Sequence, residues 1–93
     1  MTTPNNKNQF PTSVIQRIAQ LTDENRHTEA LKEIAYELGE VFLGLKLMHL
    51  MTAHQKAGYM TEELLAERNS YKIHLRCRVK TVYRNADEVL EAL

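Results

Sequence analysis

Ala57-Gly58-Tyr59-Met60-Thr61-Glu62-Glu63 is the stretch that decides the fold of this chain. Gly58 suits the left-handed position that closes a helix, and Thr61, followed by Glu62 and Glu63, suits the opening of the next, where the helix dipole favours acids. Upstream, Leu31, Ile34, Leu38, Val41, Leu45, Met48 and Thr52 alternate steps of three and four, the spacing of an apolar seam on one helix face. Downstream, Leu75, Val79, Val82, Ala86, Val89 and Leu93 continue that rhythm. So short a turn sets its two helices antiparallel. The pattern therefore predicts an all-α fold built on a long helical hairpin, about residues 28–57 and 61–92.

Working outward, Ser13 followed by Gln16 has the form of a capping box, and Val14, Ile15, Ile18 and Leu21 form a stripe. A short first helix is expected over about residues 13–25, with Asn25-Arg26-His27 as the break and Thr28 as the next cap. The polar stretch before it, residues 1–12, is framed by Pro4 and Pro11 and reads as a disordered arm preceding one helical domain, residues 13–93. It has no apolar core of the kind a signal peptide carries.

Composition narrows the function classes. The chain has 93 residues, with 12 Lys plus Arg against 12 Asp plus Glu, so it has no net attraction for nucleic acid or membrane. The longest apolar run, Val41 to Met51, is too short to span a bilayer and contains Lys46 and His49. One cysteine, Cys77, excludes an internal disulfide framework, and a reducing cytoplasm is the expected location.

The second helix carries more apolar surface than one neighbour can cover. Tyr36, Leu43, Leu47, Leu50 and Met51 form a second strip, and Ile73 and Cys77 lie on the back of the third helix. These seven residues are the candidate dimer interface, which would pair two hairpins into a four-helix-bundle-like homodimer.

Charge is segregated too. Between Glu67 and Asp87 there is no acid, but Arg68, Lys72, Arg76, Arg78, Lys80 and Arg84 all fall there. Five of them stand four apart, a spacing that repels along a helix unless anions answer it. Folding about Tyr59 sets Glu29, Glu33, Glu37 and Glu40 alongside Arg78, Lys80 and Arg84, and ion pairing between the two rows is expected there. Arg68 and Lys72 face a part of the second helix without carboxylates, so Arg68, Lys72 and Arg76 are the candidate anion- or partner-binding residues.

A dimer of hairpins with basic rows interleaved by Tyr71 and Tyr83 is one way to grip nucleic acid. In architecture it resembles the small dimeric hairpin regulators of plasmid copy number, which bind RNA; no motif carries the resemblance, and no site is transferred. A remote alternative is a small helical enzyme with a cationic pocket of Arg68, Lys72, Arg76 and Lys46, similar to the helical chorismate mutases in size, helicity and cationic side chains alone. His49 and His54 stand five apart, unlike a four-apart zinc pair, and neither has a Glu three before it, so neither a metal nor another cofactor is expected. The reading that remains is a non-enzymatic interaction protein, an adaptor, inhibitor or regulator that binds another macromolecule, most naturally a protein, through a helical face.

Overall fold

A computed structural model describes residues 7–93. The described chain is built from five helices: α1 (Thr12–Asp23), α2 (His27–Glu37), α3 (Val41–Ala57), α4 (Glu62–Val82) and α5 (Ala86–Ala92). None is long and apolar enough to cross a membrane.

Left-handed residues end the first three helices. Asn25, Gly39 and Gly58 have φ of 60°, 77° and 80°. After α1, Arg26 N–H donates to Leu21 O (2.8 Å) and Asn25 N–H to Thr22 O (3.0 Å); after α2, Glu40 N–H donates to Ala35 O (2.9 Å) and Gly39 N–H to Tyr36 O (3.0 Å). Both are complete Schellman closures. At Gly58 a single bond to His54 O (2.9 Å) makes the simpler left-handed cap. Thr61 then caps α4, its hydroxyl accepting from Leu64 N–H (3.2 Å), with Glu62 and Glu63 in the first turn.

The Gly39 turn corrects the expected second helix. Residues 28–57 do not form one rod; α2 ends at Glu37, and α3 folds back along it. Tyr36 lies against Gly44, where an added Cβ would come within 2.5 Å of its ring, and the Tyr36 hydroxyl reaches Met48 Sδ at 3.0 Å. This reversal changes which face of α3 turns inward. Leu31, Ile34 and Leu38 of the expected seam lie in or against the core, but Val41, Leu45 and Met48, which continue it in sequence, are exposed. Leu47 and Leu50, expected in a dimer interface, are instead buried in the monomer, and Leu43 packs against the core. A seam keeps its phase only along an unbroken helix, and one left-handed residue resets it.

The expected third helix is interrupted as well. At Tyr83 the backbone becomes extended, and α5 starts a separate short helix at Ala86. Part of the predicted polar arm occupies this break, residues 1–6 lying outside the described residues. Asn8 N–H donates to Val82 O and Arg84 N–H to Asn8 O, both at 2.9 Å. The Asn85 amide clamps the backbone of Phe10, accepting from its N–H (2.8 Å) and donating to its carbonyl (3.0 Å). Phe10 is fully buried and meets Tyr83 edge to face at 4.8 Å. The first helix begins at Thr12 behind Pro11, so Ser13 lies inside it and the capping box does not form.

The core joins Phe10, Ile18 and Leu21 to Leu31, Ile34, Leu47, Leu75, Val79 and Val89. It is shared by all five helices, with α1 packed on α2 and α5, and α4 against α2, α3 and α5. Gly39 gives the sharpest check on the reversal. In a continuous helix Gly39→Ala would stabilise the protein by about 1 kcal/mol. In the left-handed turn, where no neighbour crowds the position, the substitution is expected to destabilise by about 1–2 kcal/mol. Urea unfolding reads the sign directly.

Candidate functional site

The Asn25 turn brings the start of α2 beside the last turns of α3, while the long helix α4 passes across both. A cavity of about 430 Å³ opens there, with His27, His54, Gln55, Met51 and Arg68 among its walls. A second space of about 170 Å³ shares His27 and Arg68 and adds Lys72, Asn69, Leu31 and Leu93. The fold thus brings Arg68 and Lys72 to one cleft and adds His27 from a distant part of the chain.

The electrostatics of the cleft are positive. Burial lowers the Arg68 pKa from its ordinary value, because a guanidinium removed from water without an anion is disfavoured in its charged form. The His27 pKa lies below its ordinary 6.5, first because the ring is partly buried and then because Arg68 and Lys72 stand near it. Among the described residues neither Arg68 nor Lys72 forms an ion pair. The one side-chain carboxylate in the wall of the larger cavity, Glu29, is already held by Arg26 Nη2 at 2.6 Å and Arg17 Nη2 at 3.4 Å. No side chain caps the first turn of α2, so its free N–H groups add to the positive end of that helix.

The remaining expected residues are dispersed. Arg76 lines neither space. Of the pairing expected between the two charge rows, one ion pair forms: Glu40 accepts from Arg78 Nε (3.4 Å), and it also meets His74 Nε2 (2.7 Å). Glu29 and Glu33 instead serve Arg17 and Arg26, because α1 packs along α2. Arg84 donates to Gln9 Oε1 (2.9 Å), and the Lys80 carbonyl accepts from Lys7 Nζ (3.1 Å).

The tyrosines expected to face nucleic acid are engaged within the protein. Tyr83 is buried and donates to Glu37 O (3.2 Å), and burial raises its pKa. Tyr71 donates to Glu67 Oε2 (2.6 Å), a bond that pushes its pKa up to about 12.

Of the candidate dimer residues, Leu47 and Leu50 belong to the buried interior, Leu43 is half-buried, and Met51 is half-buried in the wall of the larger cavity. Tyr36, Ile73 and Cys77 are exposed. Among the described residues no group of three or more His, Cys, Asp or Glu side chains could hold a metal ion.

His27 is the site residue that sequence patterning left unmarked. Its place depends on the fold-back of α3, which no local spacing announces. No protein-family model, curated protein or solved structure matches this chain.

The cleft makes a prediction about His27 itself. Arg68→Gln or Lys72→Gln should raise its pKa toward 6.5 without restoring it, since burial is the larger cause; an NMR pH titration of the ring protons measures this. The sign for stability follows. The unfolded chain takes up this proton first as pH falls, so His27 withdraws stability between pH 6.5 and its folded pKa, and relieving the shift reduces that loss.

Proposed function

We propose that the chain is a non-enzymatic interaction protein that binds a protein partner through the outer face of α3. One observation carries the reading: Val41, Phe42, Leu45 and Met48 are exposed along a single helix, Phe42 to 83 %, with half-exposed Tyr36 of α2 beside Met48. The row offers three-four spacing to an incoming helix. Large apolar side chains grouped in this way mark interaction surfaces more often than scattered ones do.

The charges beside the row specify the occupant. Residues 41–57 expose Lys46, His49 and Lys56, with His54 in the cavity wall instead, and contain no acid. An amphipathic helix with an apolar stripe and acidic flanks complements both the row and its border. A second copy of this chain fits less well when it meets the row through its own α3, since that would face one acid-free helix with another. The homodimer through Leu47 and Leu50 would require opening the core. These features support an adaptor, inhibitor or regulator acting by helix-on-helix docking.

A pair of substitutions separates surface from core. Leu45→Asp is expected to fold normally and to lose the partner, whereas Leu47→Asp, which places a carboxylate at a fully buried position, should cost several kcal/mol and unfold much of the protein. Circular dichroism reads folding. Binding is read by titrating an acidic amphipathic helical peptide, with a lysine-flanked peptide of the same apolar pattern as control. Saturable binding of the acidic peptide alone, lost in Leu45→Asp, supports the reading. Equal binding of both peptides, or of neither, overturns it, as does a dimer in sedimentation equilibrium that Leu45→Asp dissociates.

A further inference from the structure

The exposed row on α3 leaves the cleft between α2 and α4 without a role, and three features there ask for a ligand. The first is uncompensated charge. Arg68 and Lys72 line adjoining walls, with the His27 ring beside them as a hydrogen-bonding group, and the only side-chain carboxylate among the larger cavity's lining residues is bound to two other arginines. Along α4, Arg68, Lys72, Arg76 and Lys80 repel one another at four-residue spacing, and among the described residues no ion pair answers Arg68 or Lys72. The second is shape. The larger space, about 430 Å³, lies within the range of small-ligand pockets, roughly 300–1,000 Å³. The third is the mixture of walls, in which His54 and Gln55 can bond hydroxyls and Met51 is apolar.

From these we infer that the cleft binds a small-molecule phosphate monoester, its dianionic head between Arg68, Lys72 and His27 and its polar body in the larger space. A guanidinium presents a planar fork of donors that matches two oxygens of a tetrahedral oxyanion, and an ammonium adds a strongly localised charge. Arg68 is half-buried, so an anion placed against it meets less competition from water than at a surface arginine. The uncapped first turn of α2 borders the same space and adds N–H donors of the right polarity.

A nucleic acid is disfavoured by the same observations. It needs cations spread along a surface to follow a backbone, and here Arg78 and Arg84 are engaged elsewhere while the chain as a whole carries no net charge. The cleft is concave and local.

The test is an NMR titration of the full chain with inorganic phosphate, glycerol 3-phosphate and glucose 6-phosphate, using chloride at matched ionic strength as control. Single-stranded DNA and RNA oligonucleotides form a separate arm. The expected result is saturable shifts centred on His27, Gln55 and Arg68 with at least one sugar or glycerol phosphate, at lower concentration than with inorganic phosphate. Arg68→Gln and Lys72→Gln should each weaken binding tenfold or more with the thermal melt unchanged or raised, Arg68→Lys should restore only part of it, and Arg76→Gln should stay within twofold of wild type. Shifts that track ionic strength alone would overturn the proposal. So would oligonucleotide binding without phosphate-ester binding, or an equal loss from Arg76→Gln.

Discussion

Gly39 holds its backbone at φ +77°, and most of the tertiary structure follows from that single angle. In the left-handed region the Glu40 and Gly39 amides turn back onto Ala35 and Tyr36, closing α2 and reversing the chain so that α3 runs along it. A side chain with a Cβ pays a steric penalty at such an angle, whereas glycine pays none. Once α3 is reversed, Gly44 must sit against the Tyr36 ring, and its missing Cβ permits that approach. Leu47 and Leu50 are carried inward, and Val41, Leu45 and Met48 are carried out. Both surfaces for which a function is proposed are products of this reversal, the outward row on α3 and the cleft where the start of α2 meets the end of α3.

The other end of the molecule is held by an equally local device. The break between α4 and α5 leaves backbone groups at Val82 and Arg84 in need of partners, and Asn8 supplies both. Asn85 then fixes Phe10, whose ring fills the core beside Tyr83. Residues 7–11 contribute to packing that α1 and α5 could not complete alone, since α5 has seven residues and little surface. A small domain gains much of its stability from such closures, because its surface is large relative to its core.

Charge follows packing. Glu29 and Glu33 of α2 lie toward α1 and are taken by Arg17 and Arg26, so the basic helix α4 receives one carboxylate from this region, Glu40, near its C-terminal half. The N-terminal half of α4 is left with Arg68 and Lys72 beside His27, in partly dehydrated surroundings. That imbalance gives the cleft its chemistry, although the twelve cations and twelve anions of the chain cancel in number.

By itself the sequence determined the helical class, the turn at Gly58, the Thr61 cap, the inward face of α4 through Leu75 and Val79, and the shortage of acids near Arg68 and Lys72. Each depends on neighbours within a turn or two: a glycine's freedom, a hydroxyl within reach of an amide, a residue spacing. Tertiary structure alone decided which face of α3 is buried, where Phe10 goes, which cations the acids of α2 neutralise, and that His27 completes the cleft. Along α2 and α3 the apolar residues satisfy a helical period across Gly39 without interruption, so periodicity could not reveal that the helix stops there. The reversal is favoured because it buries Leu47 in a core shared with other helices and withdraws Leu50 from water, a gain that appears only when distant segments meet.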